Sequence, residues 1–186
     1  PDFKDFGPVS LYLNLEGTDP PVELLSLLPR MTSLTTLRVQ YENGLPLQAW
    51  LQPMAAQLPQ LLGLNLQLDG QSMTEFKSWL SALPSLQKLT LSLKSSVEDR
   101  LDLGLHRLLE LTYLRIYSHQ IFACQLEIPV ISTLQQLELN CNNQMQPASP
   151  LTHSAWLPNL VEMTALEKLD WVWMTHSDYC AIGHYL

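Results

Sequence analysis

The sequence predicts an α/β solenoid, and three observations predict it. A Leu-x-x-Leu-x-Leu pattern, or a close variant of it, recurs six times. Its starts, at residues 34, 61, 86, 111, 134 and 166, lie 27, 25, 25, 23 and 32 residues apart, the period of a repeat protein. Between the blocks lie apolar residues at helical spacing.

The elements follow in order. Val9, Leu11, Leu13 and Leu15 alternate and form a seventh block of ambiguous register. Val22, Leu24, Leu25 and Leu28 form a helical pattern closed by Pro29, and the strand Leu34-Leu37-Val39 comes next. Leu47, Trp50, Leu51, Met54 and Leu58 are spaced i, i+3, i+4, i+7, i+11, which predicts a second helix before the strand Leu61-Leu64-Leu66. Met73, Phe76, Leu80 and Leu83 predict a third helix, ended by Pro84 ahead of Leu86-Leu89-Leu91. Leu105, Leu108 and Leu109 repeat the theme before Leu111-Leu114-Ile116. Residues 121–131 carry Pro129 and several β-branched residues, so an extended or single-turn segment is expected there. The strand Leu134-Leu137-Leu139 is followed by "NNQMQPASPLTHSAW", residues 142–156, whose Pro147, Ser149 and Pro150 mark a loop. The last block is Leu166-Leu169-Trp171.

The final two apolar residues of each block sit two apart, so they point to one side of a strand. No single unit can bury that side alone, so neighbouring units must stack. On these blocks the chain resembles leucine-rich repeat proteins over roughly residues 8–176, and the helix-bearing units resemble the intracellular ribonuclease-inhibitor-like and F-box-type repeats. The resemblance implies a curved horseshoe, with a parallel sheet on the concave face and helices on the convex face. It also implies recognition of a protein partner through the concave sheet. The chain departs from the family where an Asn or Cys is usual after the strand: the residues there are Glu42, Asp69, Lys94, His119, Asn142 and Met174, and only Asn142 fits.

In that register the concave face is lined by Thr36, Arg38 and Gln40; Gly63, Asn65 and Gln67; Lys88, Thr90 and Ser92; Tyr113, Arg115 and Tyr117; Gln136, Glu138 and Asn140; and Lys168, Asp170 and Val172. Tyr12 and Asn14 extend the row. Four of these residues are basic and two acidic, so the face is +2 on a chain of net charge −8 and the remainder carries −10. Such an asymmetry predicts an acidic or mixed-charge partner. Tyr and Arg give large contact area with a polar tip and are enriched among interface hot spots. The partner-binding candidates are therefore Arg38, Lys88, Tyr113, Arg115, Tyr117, Gln136 and Glu138. The competing reading of the tyrosines is strand propensity alone.

Other functions find less support. The acidic balance, with a pI near 4.9, disfavours nucleic acid. No apolar run is long enough to span a bilayer. No GxGxxG, Walker, HExxH or GxSxG motif occurs, and seven glycines leave little for a phosphate cradle. No catalytic residue, metal or cofactor is predicted, and the chain is read as a non-enzyme. His176, Cys180 and His184 are spaced i, i+4, i+8 and would share a helical face with zinc-ligand chemistry, but they lack a fourth ligand. The preferred reading makes this stretch the start of another repeat, with Cys180 as a small buried hydrophobe. Cys124, Cys141 and His119 raise a thiol-site reading, against the commoner role of Cys as a small turn residue. Trp50, Trp79 and Trp171 read as core.

Three cysteines without a CxxC and no Asn-x-Ser/Thr sequon favour a cytoplasmic setting. The expectation is one repeat domain over residues 1–186, of six to seven units, cut from a longer protein. It is expected to bind a protein or peptide as the recognition part of an adaptor or effector. The alternatives are a surface receptor ectodomain and a metal-dependent or thiol enzyme.

Overall fold

The computed structural model of the chain describes residues 9–16, 27, 30–42, 58–68, 73–93, 101–118, 126–142, 157–174 and 179–182. They form a parallel β-solenoid. The main sheet contains β1 (Val9–Glu16), β2 (Leu34–Glu42), β3 (Gly63–Leu68), β4 (Lys88–Leu93), β6 (Tyr113–Ser118), β8 (Gln136–Asn142), β9 (Lys168–Met174) and β10 (Tyr179–Ile182), in that spatial order. Every pair from β1 to β9 is parallel, and β10 runs antiparallel to β9. A second, two-stranded sheet joins β5 (Leu101–Asp102) to β7 (Leu126–Glu127).

The Leu-x-x-Leu-x-Leu blocks become three apolar rows across the stack. The first contains Leu34, Leu61, Leu86, Leu111 and Leu134, all buried. The second pairs Leu37, Leu64, Leu89, Leu114 and Leu137 in register, and the third pairs Val39, Leu66, Leu91, Ile116 and Leu139. Removing each such side chain from water stabilises the stack by about 2 kcal/mol, before the entropic cost of ordering the chain. The ambiguity at the first block is resolved: Leu11 opposes Leu37 and Leu13 opposes Val39.

A turn delivers each strand. The N–H of the leading Leu of every block donates to the carbonyl three residues earlier, from Leu34 to Met31, Leu61 to Leu58, Leu86 to Leu83, Leu111 to Leu108, Leu134 to Ile131 and Leu166 to Met163, at 2.9–3.3 Å. All but Met31 among these acceptor residues are buried apolar side chains. The working unit is therefore one apolar residue longer at its start than Leu-x-x-Leu-x-Leu. Pro59 and Pro84 stand at the second turn position, where their fixed φ is favourable. The next carbonyl locks successive units. Leu62 accepts from the N–H of both Gln87 and Lys88, Gln87 from Thr112 and Tyr113, Thr112 from Gln135 and Gln136, and Gln135 from Glu167 and Lys168.

The connections differ from one another. The predicted third helix is present as α1 (Met73–Leu80), whose Phe76, Trp79 and Leu80 are buried. Its rings Phe76 and Trp79 lie with centroids 5.9 Å apart. Trp79 takes its expected core place, with Nε1 lacking a hydrogen-bond partner among the described residues. The helix expected around Leu105 is corrected to a 3-10 turn, Leu105–Arg107. Gly104 enters this turn at φ 69°, and its N–H donates to Asp102 Oδ1 at 2.8 Å. That local turn competes with a longer helix. Of the three residues that indicated a helix, Leu105 and Leu108 are buried and Leu109 is exposed. The expected extended segment before the fifth block is found where it is described, as β7 followed by the turn into Leu134. A further 3-10 segment, Leu157–Glu162, leads to the last block. The helices expected over Val22–Leu28 and Leu47–Leu58 fall outside the described residues except at Leu27 and Leu58, and the loop at 142–156 does so beyond its first residue.

Candidate functional site

Alternation along the strands turns the residues between the core rows to the opposite, polar face. On β4 and β6 every second residue is buried, while Thr90, Ser92, Tyr113, Arg115 and Tyr117 are half-buried and Lys88 is exposed. Strand pairing aligns them in rows. Arg38, Asn65, Thr90, Arg115, Glu138 and Asp170 form one row; Ser92, Tyr117, Asn140 and Val172 form part of the next.

Five of the seven candidates form one cluster. Arg115 Nε is buried and lies 2.8 Å from Glu138 Oε2, an ion pair held by proximity without a directed hydrogen bond. The Arg115 guanidinium lies over the Tyr117 ring, 4.4 Å from its centroid. Gln136 donates from Nε2 to Glu138 Oε1. Tyr113 is held above its ordinary pKa, first by burial and then by the Glu138 charge. Lys168 joins from β9, 2.6 Å from Asp170 Oδ2 and 3.4 Å from Glu138 Oε1. Its ammonium pKa is raised, chiefly by the hydrogen bond to Asp170. The cluster thus contains two cations and two carboxylates.

The other two candidates stand apart. Arg38 is exposed on β2, its guanidinium 5.1 Å from the centroid of Tyr12. Tyr12 Oη donates to Gln40 Oε1 at 2.6 Å. Lys88 opposes Gly63 and Tyr113 in register. Neither cation has a carboxylate partner among the described residues. The +2 read from composition therefore resides on β2 and β4, beside a neutral cluster on β6, β8 and β9.

Between the two arginines lies a hollow of about 440 Å³ lined by Arg38, Val39, Gln40, Asn65, Gln67, Thr90, Ser92, Arg115 and Tyr117. Its floor residues Asn65, Gln67, Thr90 and Ser92 were on the predicted polar face but not among the candidates. Aligning the blocks in register places them between the two arginines.

The other predicted constellations fall largely outside the described residues. Tyr179–Ile182 is a strand antiparallel to β9, so Cys180 lies neither on the helical spacing a zinc site would use nor in a further parallel repeat. His119, Cys124, His176 and His184 lie outside the described residues, as does Trp50. Among the described residues no group of three His, Cys, Asp or Glu could hold a metal ion. No described helix is long and apolar enough to cross a membrane. No family model, curated protein or solved structure matches the chain.

Proposed function

We propose that this chain is a leucine-rich repeat module, of the ribonuclease-inhibitor-like or F-box type, that binds a protein or peptide on a concave sheet. The anchors are Tyr113, Arg115 and Tyr117, with Gln136 and Glu138 holding them. One observation carries the reading: an ion pair, a ring contact and a hydrogen bond hold Arg115, Tyr117, Gln136 and Glu138 in place before any partner arrives. A surface already ordered loses less side-chain entropy on binding. The role is non-covalent recognition within a cytoplasmic adaptor or effector.

The test is affinity capture from the native source with the chain and its Tyr113→Ala/Arg115→Ala variant, after matching their circular dichroism. Specific partners should be retained by the first and lost from the second. Retention of every partner by a folded variant would remove the anchors from the site.

A further inference from the structure

We infer that the hollow between Arg38 and Arg115 seats an extended acidic segment of the protein partner, with two carboxylate side chains four residues apart. The inference rests on the polar face being the recognition surface. It adds the chemistry and the spacing of what that surface takes.

The charge points to an anion. Among the described residues, two guanidinium groups and no carboxylate line the hollow. Arg38 has no carboxylate partner among the described residues. Arg115 commits Nε to Glu138, and a guanidinium carries further N–H donors beyond that one. Gln40 accepts the Tyr12 hydroxyl on its amide oxygen, so its amide hydrogens are the donors it offers a ligand.

Both arginines are also held in place. Each guanidinium lies against a tyrosine ring, Arg38 on Tyr12 and Arg115 on Tyr117. A stacked guanidinium loses little further freedom when it meets a carboxylate.

The spacing follows from the sheet. Arg38, Asn65, Thr90 and Arg115 occupy one row on four successive strands. Three strand intervals separate the arginines by about 14 Å, and residues i and i+4 of an extended chain lie about 13 Å apart. An extended peptide lying along this row would bring one carboxylate to each arginine and its backbone over Asn65 and Thr90. A pair two residues apart, at about 7 Å, reaches only one.

Fluorescence anisotropy tests this with labelled Ser/Gly peptides carrying Glu at i and i+4, Glu at i and i+2, or Gln at i and i+4. The first should bind about tenfold tighter than the i and i+2 peptide, the effect of one charge-assisted hydrogen bond, and about a hundredfold tighter than the Gln peptide, which loses both. Arg38→Gln should weaken it about tenfold, while Arg107→Gln, which removes the same charge from the exposed 3-10 turn outside the hollow and its cluster, should leave it unchanged. Arg38 makes no ion pair among the described residues, so its variant tests the site even if Arg115→Gln disturbs the cluster. Equal binding of the Gln peptide, or no response to Arg38→Gln, would overturn the inference. Partners lost from the Tyr113→Ala/Arg115→Ala variant but retained by Arg38→Gln would discard the acidic subsite and keep the recognition face.

Discussion

Replacing Glu138 by Gln keeps the shape of the side chain and removes the charge that Arg115 and Lys168 share. Both partners are substantially exposed, so solvent screens the pairs. The expected loss is about 1 kcal/mol, or about 2–4 °C in Tm for a chain of this size, measured by thermal unfolding. The same change should strengthen binding of the acidic peptide, because the neutral cluster becomes cationic. Weaker binding by a folded Glu138→Gln variant would mean that orientation of Arg115 outweighs charge. Tyr113 makes a second prediction. Its phenol titrates above the ordinary value, so the native state resists ionisation that the unfolded chain undergoes. Its contribution is intact below pH of about 10 and is lost as pH rises through the native pKa. The urea midpoint of Tyr113→Phe should therefore fall less steeply across that alkaline window. Identical slopes would remove Tyr113 from the linkage. The charge on this face could be counted from the sequence, but its pairing was not read, because partners such as Arg115 and Glu138 meet only across strands. The aligned blocks already put them in one row.

At the level of elements, strands were more legible than connections. A strand in this stack is specified by two or three apolar residues at fixed spacing, repeated with each unit. A connection depends on local competition, as at residues 101–108. There Asp102 bonds the Gly104 N–H and also pairs with Lys77 Nζ of α1 at 2.8 Å. These contacts tie a turn to the preceding helix where apolar spacing alone indicated another helix. Gly104 has φ 69°, and a Cβ there would stand 3.3 Å from Lys77 Cγ. Gly104→Ala should cost about 1–2 kcal/mol through left-handed backbone strain, read as a lower urea midpoint. An unchanged midpoint would show that the turn can relax. The Asp102 carboxyl is held below its ordinary pKa, first by the Lys77 hydrogen bond and then by the Gly104 N–H. A depressed native pKa gives stability present above the unfolded value near 3.9 and lost as pH falls through the native one. Asp102→Asn should flatten that part of the acid-unfolding curve.

Over the whole molecule, each described strand of the main sheet pairs with its sheet neighbours, so position in the stack governs the consequence of a cavity. Leu114 is fully buried in β6, with β4 on one side and β8 on the other. Leu13 is buried in β1, which pairs with β2 alone among the described strands. Truncating a buried Leu to Ala costs about 2–5 kcal/mol where the surroundings cannot collapse. For Leu114→Ala that loss falls on two interfaces, and the doubled carbonyl bonds from Gln87 and Thr112 to the next unit transmit it both ways. Amide exchange should then accelerate from β4 through β8 together. For Leu13→Ala the loss falls on one interface, and β1 can open without β4, β6 and β8 following. Exchange should accelerate in β1 and β2 while the central strands keep their protection. Equal acceleration of the central strands in both variants would make the stack a single cooperative unit, with stability shared over the sheet rather than summed from neighbour to neighbour. The distinction bears on binding, because the arginines of the hollow lie on β2 and β6. If the stack is a sum of neighbours, opening of β1 removes Tyr12 from Arg38 and weakens the acidic subsite, while Arg115 and Tyr117 remain in place.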